Sequence, residues 1–177
     1  MDWAEEVLDF WFGLEFAQWW KADPALDEEI RQRFGELREE KRKLPAESFL
    51  GDARTALAAV VLFDQFPRNL FRGSAEQFST DTLALAIAWQ AVQRGLDQQL
   101  SETERGMLYM PFQHSENLDD QRQSLLLFTA LGDDRHLKYA KLHHDVIAKF
   151  GRFPHRNAIL GRQPRGAEIK TGDVFPW

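Results

Sequence analysis

Residues 62–73 have the sequence LFDQFPRNLFRG, and this stretch decides the fold class. It continues an apolar run at residues 56–63, which Asp52 can cap as the start of a buried helix. We expect Pro67 to end that helix, because the residue before a proline is pushed out of helical geometry. The stretch therefore predicts an apolar helix that stops at a polar loop.

Helix boundaries of the same kind lie on both sides of this stretch. Before it, a helix is predicted from Asp23 and Pro24 to before Pro45. After it, two helices are predicted, one from Ser79 or Thr80 to Gly95 and one from the capping box of Ser101 and Glu104 to an interruption at Pro111. The last two predicted helices run from Asn117 and Asp120 through Leu131 and from Asp133 or Asp134 to Gly151. No segment favours a strand, and only the residues after Gly161 lack a helical period. Short connections favour antiparallel helix pairs, so we expect an all-α, single domain over residues 1–177, with its helices in a right-angle or solenoid-like stack.

The composition excludes several classes of protein. The chain has a formal charge of -6 and no cysteine, which excludes disulfides, thiol nucleophiles and cysteine-bound metals. The negative charge argues against a general binder of nucleic acid or anionic membranes. The acidic amino terminus does not resemble a secretory signal, and no apolar run approaches the roughly 20 residues that cross a bilayer. We therefore expect a soluble, cytoplasmic protein that binds neither nucleic acid nor membrane.

Aromatic side chains form an unusual share of the apolar residues, with 14 Phe and 6 Trp. Large rings at helical spacing bury well against other helices. We therefore predict core packing for the aromatic residues near the amino terminus, which are Trp3, Phe10, Trp11, Phe12, Phe16, Trp19 and Trp20.

Three polar segments lie at predicted helix boundaries, at residues 64–73, 109–116 and 151–157. The chain has no G-x-S-x-G, P-loop, G-x-G-x-x-G or H-E-x-x-H signature, so function has to be sought in boundaries of this kind. Backbone donors and side chains can converge on a ligand where helices end.

Two basic stretches stand out in this acidic chain. Residues 65–75 contain Arg68 and Arg72 and no acid. Residues 149–165 also contain no acid, and their basic side chains are Lys149, Arg152, His155, Arg156, Arg162 and Arg165. Such stretches need either an anionic ligand or carboxylates from elsewhere in the fold, such as Asp64, Asp81 or Glu116. Salt bridges that fix loops onto the body of the protein are the structural alternative.

His114 and Glu116 precede a helix that Asn117 is expected to cap, so they lie in the field of a helix amino terminus. Glu116 could orient the His114 imidazole while His114 moves a proton near neutral pH. The alternative is that Ser115 and Glu116 only cap the helix and His114 is an ordinary loop residue.

The sequence His143-His144-Asp145 resembles the metal-binding doublet of metal-dependent phosphohydrolases. Such enzymes need further ligands, for which His114 and Asp119 are candidates, but nothing in the sequence brings them together. Histidines near the end of a helix more often interact with the helix dipole or lie exposed. We therefore predict no metal site here.

The same segments resemble a bacterial family of proteins of unknown function. The resemblance covers residues 7–162, in the stretches VLDFWFG, LFDQFPRNLFRG with FSTD, LYMPFQHSE with Gln121, and FGRFPHRNAILGR. It implies a tetratricopeptide-like, all-helical fold and no established activity. The positions that match are Asp64, Arg68, Asn69, Arg72, Asp81, His114, Ser115, Glu116, Gln121, His143, Arg152, His155, Arg156, Asn157 and Arg162. The chain departs from the pattern after Arg162 and at residues 41–49, where a usual tryptophan is missing.

Our preferred hypothesis is a pocket, formed by the three polar segments, that binds a small anionic metabolite bearing phosphate or carboxylate. The expected ligand-binding residues are Arg68, Arg72, Arg152, His155, Arg156 and Asn157, and the expected catalytic residues are His114, Glu116 and Asp64. Hydrolysis or transfer at a phosphoryl or acyl centre would suit arginines beside a histidine, because charge develops on oxygens there. The alternative is a helical adaptor that binds a peptide or partner protein and uses these residues only structurally. Cofactor and oligomeric state are left open.

Overall fold

The computed structural model describes residues 2–171, and these residues form helices and turns without a strand. The predicted all-α class is confirmed. The α-helices are α1 (Trp3–Phe12), α2 (Pro24–Lys41), α3 (Ala53–Val60), α4 (Phe66–Leu70), α5 (Asp81–Gln93), α6 (Glu102–Leu108), α7 (Met110–His114), α8 (Leu118–Leu131), α9 (Asp134–Phe150) and α10 (Gly166–Thr171). None of these helices is both long and apolar enough to cross a membrane.

The chain divides into two compact units, the first ending at Leu108 and the second beginning at Tyr109. The single domain expected from the length stays a prediction. In the first unit, α3 is central and packs against α1, α5 and α6. All eight residues of the apolar run at 56–63 are fully buried, so this run forms the middle of the first unit's core.

Several predicted helix caps are present, whereas Thr80 at the start of α5 makes no capping hydrogen bond with its side chain. The Asp23 carboxylate accepts hydrogen bonds from the amides of Ala25 and Leu26, with Pro24 as the first helical residue. Ser101 and Glu104 form the expected capping box, with each side chain accepting the other's backbone amide. These caps satisfy amides that have no partner within the helix, which is why helices begin at these positions.

Pro67 does not end the helix in which it lies, and this prediction is wrong. Residues Val61–Gln65 form a π-helical turn that joins α3 to α4 without a break. Pro67 has no amide hydrogen for the carbonyl of Phe63, four residues earlier. The Thr80 hydroxyl donates to that carbonyl instead, over 2.7 Å. A side chain from outside the helix thus supplies the missing donor, and the backbone continues through the proline.

In the second unit, α8 and α9 form an antiparallel pair. Leu118 at the start of α8 packs against a cluster formed by Phe153 and by Val146, Ile147 and Phe150 near the end of α9. Phe128 near the end of α8 stacks on His136 near the start of α9 at 5.5 Å. Gly151 ends α9 with a φ of 69°, in the left-handed region that glycine adopts without strain. The wider tetratricopeptide-like stack stays a prediction.

The aromatic amino terminus is only partly buried. Trp11 is 1% exposed and contacts the Phe66 and Trp19 rings, as expected for a core residue. Phe16 and Trp20, however, are 45% and 47% exposed. For these two residues the prediction of core packing is wrong, because they belong to a short turn after α1 rather than to its buried face.

Candidate functional site

In the first unit, the polar segment after α3 is organised around Arg68. Both terminal nitrogens of Arg68 lie 3.0 Å from the Asp81 carboxylate, and Nη1 lies 3.2 Å from Asp64 Oδ1. Arg68 also donates to the backbone carbonyl of Asp64 in the π-helical turn. Burial opposes the charge on Arg68, but Asp64 and Asp81 raise the pKa of the guanidinium above its usual value. Two of the three carboxylates named from the sequence, Asp64 and Asp81, therefore lie at Arg68.

Arg72 and Asn69 have a partner that sequence reasoning missed. Arg72 makes two 3.0 Å bonds to the Asp27 carboxylate, and Asn69 Nδ2 donates to the same carboxylate over 2.7 Å. Asp27 lies in the first turn of α2, more than forty positions earlier in the chain. These contacts fix α4 onto α2, which is a structural role.

In the second unit, Glu116 joins two of the polar segments. Its carboxylate accepts two bonds from Arg162, at 2.7 and 3.0 Å, and one from the backbone amide of Phe153 at 2.7 Å. Burial opposes ionisation of Glu116, but Arg162 and the Phe153 amide outweigh it and hold the pKa of the carboxyl below its usual range. Glu116 is thus a fixed anion beside residues 151–157, and its pairing with the His114 imidazole stays a prediction.

Arg152 is held by a carboxylate of α10. Its Nε and Nη2 lie 2.6 and 2.9 Å from the two oxygens of Glu168, and the side chains are only 10% and 3% exposed. The bonds from Arg152 lower the pKa of Glu168 to about 2. Sequence reasoning missed both α10 and Glu168. One sequence feature could have identified this partner, because Glu168 is the first acidic residue after Asp145 and so the first to follow the basic stretch.

Asn157 connects these two ion pairs. Its Nδ2 donates to Glu168 Oε2 over 2.9 Å, and its Oδ1 accepts from Arg162 Nε over 3.0 Å. The charge network of Arg152, Glu168, Asn157, Arg162 and Glu116 therefore contains two arginines and two carboxylates, and its formal charges cancel.

Two histidines and Arg156 contact the buried ring of Phe153, and a third histidine lies beside one of them. His143 and His155 contact this ring at 5.6 Å, and the Arg156 guanidinium lies over it at 4.6 Å. The His114 ring lies 6.4 Å from that of His143, and Arg156 Nη2 donates to the backbone carbonyl of His114 over 3.0 Å. The second and third polar segments thus meet at one place in the second unit, which we call the histidine cluster.

Two imidazoles of the histidine cluster are uncharged near neutral pH. Burial lowers the pKa of His143 to about 3, and electrostatic interactions with His114 and Arg156 add to the effect. Burial and Arg156 lower the pKa of His155 to about 4. The Nδ1 of His143 lies 2.7 Å from the carbonyl of Tyr139. Since a carbonyl only accepts, the neutral ring carries its hydrogen on Nδ1.

The two histidines of the His143-His144-Asp145 stretch contact different partners. His143 bonds to its own helix at Tyr139, whereas His144 contacts Asp145 at 3.1 Å. Across residues 2–171, no three His, Asp or Glu side chains are placed so that they could hold a metal ion. What the histidine cluster offers is hydrogen-bond donors and one guanidinium, a combination that suits an anion.

Comparisons with known proteins agree with the all-helical structure and give no activity. None of the curated proteins matches the chain. A solved structure, that of the protein of unknown function ATU0120 from Agrobacterium tumefaciens, is similar: it is 38% identical, 95% of each chain is covered, and the TM-score is 0.87. The model of a family described as bacterial protein of unknown function (DUF924) matches residues 7–171. The chain therefore belongs to the DUF924 family of bacterial proteins.

Proposed function

We propose that the second unit binds a small anionic metabolite, bearing phosphate or carboxylate, at the histidine cluster. Arg156 and His155 hold the anion, and His114 is the group for proton transfer, since imidazole has the ordinary pKa closest to neutral pH. The observation that carries this proposal is that His143, His155 and Arg156 meet at the Phe153 ring, with the His114 ring 6.4 Å from that of His143.

The neighbouring charge network supports the same assignment. Arg152 and Arg162 are each held by a carboxylate through two bonds, so they stabilise the backbone around the site instead of meeting the ligand. Arg156 bonds to the backbone carbonyl of His114 and lies over the Phe153 ring, at the centre of the histidine cluster. Arginine in such surroundings keeps its positive charge, which favours a nearby anion.

Binding of inorganic phosphate, acetate and a panel of phosphorylated and carboxylated metabolites tests the proposal by thermal shift and calorimetry. A ligand that binds only the folded state raises its stability, by about 2.7 kcal/mol at one hundred times Kd. We expect a rise in Tm that Arg156→Met and His155→Asn abolish. Calorimetry well below the Tm of each variant should likewise show binding to the unchanged protein and none to the variants.

Arg54→Met is the matched control, because it removes the same charge at an exposed pair with Glu5 in the first unit. It should keep the full response to the anion. A chain that responds to no anion, or an Arg156→Met variant that responds like the unchanged protein, would overturn the proposal.

A further inference from the structure

Gln121 is a fully buried side chain in the first turns of α8. Its Nε2 donates to three backbone carbonyls at the end of α7, those of Phe112, Gln113 and Ser115, at 3.4, 2.8 and 2.7 Å. The last carbonyls of a helix have no partner within the helix, so donors must come from elsewhere. Because carbonyls only accept, these contacts also fix which end of the amide faces them.

His114 lies between two of these carbonyls. Gln121 binds the peptide units of Gln113 and Ser115, and Arg156 binds the carbonyl of His114 itself at 3.0 Å. Three consecutive carbonyls are therefore each held by a side chain of the second unit. The backbone from which the His114 imidazole projects is fixed on both sides, relative to the same guanidinium that faces Phe153.

We propose that Gln121 is a positioning residue that places the His114 imidazole for the anion held by Arg156. The inference rests on the proposed function. A helix end needs only ordinary donors for stability, whereas one amide that bonds on both sides of His114 restrains that residue's backbone. Misplacement of a reacting group by about 1 Å can cost on the order of a hundredfold, so loss of this restraint should be measurable at the site.

The test compares Gln121→Met, which keeps the length of the side chain and removes the donor, with the unchanged protein. Imidazole resonances are followed by NMR, and inorganic phosphate binding is measured by calorimetry at a temperature where both proteins are folded. We expect the His114 resonances to shift and phosphate to bind about tenfold or more weakly, since the variant loses contacts that hold the site in its geometry. The His136 resonances should stay unchanged, because His136 bonds Asp133 at the other end of α8.

Trp19→Phe is the control for a general loss of stability. It removes an Nε1 donor to the carbonyl of Trp11, 2.9 Å away in the first unit, and should leave both phosphate binding and His114 unchanged. If Gln121→Met does not fold, Gln121→Asn serves instead, because it keeps the amide but shortens its reach.

Two results distinguish this inference from the proposed function. A folded variant with unchanged His114 resonances and unchanged phosphate affinity would overturn the positioning role while the anion site stands. An unchanged protein that binds none of the tested anions would overturn the proposed function, and the His114 resonances would then report the positioning role alone.

Discussion

Arg152 and Glu168 form an ion pair in which neither partner is well hydrated, with side chains 10% and 3% exposed. Asp119 and Arg122 form the opposite kind of pair, at 83% and 61% exposed. Exposed pairs contribute little to stability, because water screens the charges and the side chains lose freedom when they pair. Removing one partner of a buried pair leaves the other charge without a counter-ion.

Glu168→Gln should therefore lower the Tm at pH 7 far more than Asp119→Asn does. The folded-state pKa of Glu168 is depressed to about 2, so its contribution is complete above the unfolded value of about 4.5 and declines as the pH falls below it. In thermal melts, the difference in Tm between the unchanged protein and Glu168→Gln should therefore become smaller as the pH falls below about 4.5. Equal effects of the two substitutions at pH 7 would contradict the assignment of a structural ion pair to Arg152.

At the scale of the helix, a side-chain hydrogen bond replaces a backbone hydrogen bond in the π-helical turn before Pro67. The Phe63 carbonyl receives the Thr80 hydroxyl where an ordinary residue at position 67 would supply an amide. The two positions should therefore be coupled energetically, although a proline and a threonine thirteen residues apart share no obvious sequence pattern.

Thr80→Val should destabilise the protein by about 1–3 kcal/mol, since it leaves a buried carbonyl without its donor. In a Pro67→Ala background the same substitution should cost at least about 1 kcal/mol less, because the alanine introduced at position 67 has an amide that can bond to the Phe63 carbonyl. Urea unfolding of the four proteins measures this coupling in a double-mutant cycle. Strictly additive effects would show that Thr80 does not replace the missing amide.

The aromatic residues near the amino terminus offer a second comparison, between the buried ring of Trp11 in α1 and the exposed ring of Phe16 in the turn after it. Trp11→Ala should destabilise the first unit by about 3–5 kcal/mol, as expected for a large aromatic side chain removed from a core. Phe16→Ala should cost much less, because Phe16 is 45% exposed. Denaturant unfolding of both variants measures the difference, and similar losses would place Phe16 in the core after all.

Element boundaries were predictable where a single residue supplies the cap. Asp23, Ser101, Asn117 and Gly151 all act within a few positions of themselves, so local sequence is enough to find them. Pro67 misled the prediction because its missing donor is replaced from another element. Helix α10 was missed because its residues lack an apolar period, and it is held instead by the charge of Glu168.

At the scale of the whole molecule, a fall in pH should reduce the stability of the protein first through the histidine cluster and only at lower pH through the carboxylates. The folded-state pKa of His143, about 3, lies below the ordinary value of 6.5. The unfolded chain therefore binds the extra proton, and stability falls as the pH drops from about 6.5 towards 3, by up to about 1.4 kcal/mol per pH unit.

His143→Asn should flatten this part of the stability curve. Asparagine can still donate to the Tyr139 carbonyl, as Nδ1 does, but it does not titrate. Unfolding in denaturant at pH 7, 6, 5 and 4 gives the slope of the free energy of unfolding against pH for each of the two proteins. The same slope in both would show that the imidazole is protonated in the folded state, contrary to its buried surroundings.

The candidate site was predictable as a set of segments and not as a set of contacts. An arginine-rich stretch without acids in an acidic chain is visible in composition alone. Which arginines meet carboxylates depends on partners such as Asp27 and Glu168, which lie 45 positions from Arg72 and 16 positions from Arg152. Only the folded chain shows that Arg152 pairs with Glu168 and that Arg156 lies over the Phe153 ring.

The distance between Arg152 and Glu168 also has a consequence for synthesis on the ribosome. Glu168 is added 16 residues after Arg152, which is roughly one to three seconds later at about 5–20 residues per second. The hairpin of α8 and α9 is complete in the nascent chain before that moment, while Arg152 and Asn157 still lack their anion. Glu168 therefore leaves the ribosome after both helices of the hairpin and after Arg152, so the charge network is the last of these contacts that can form.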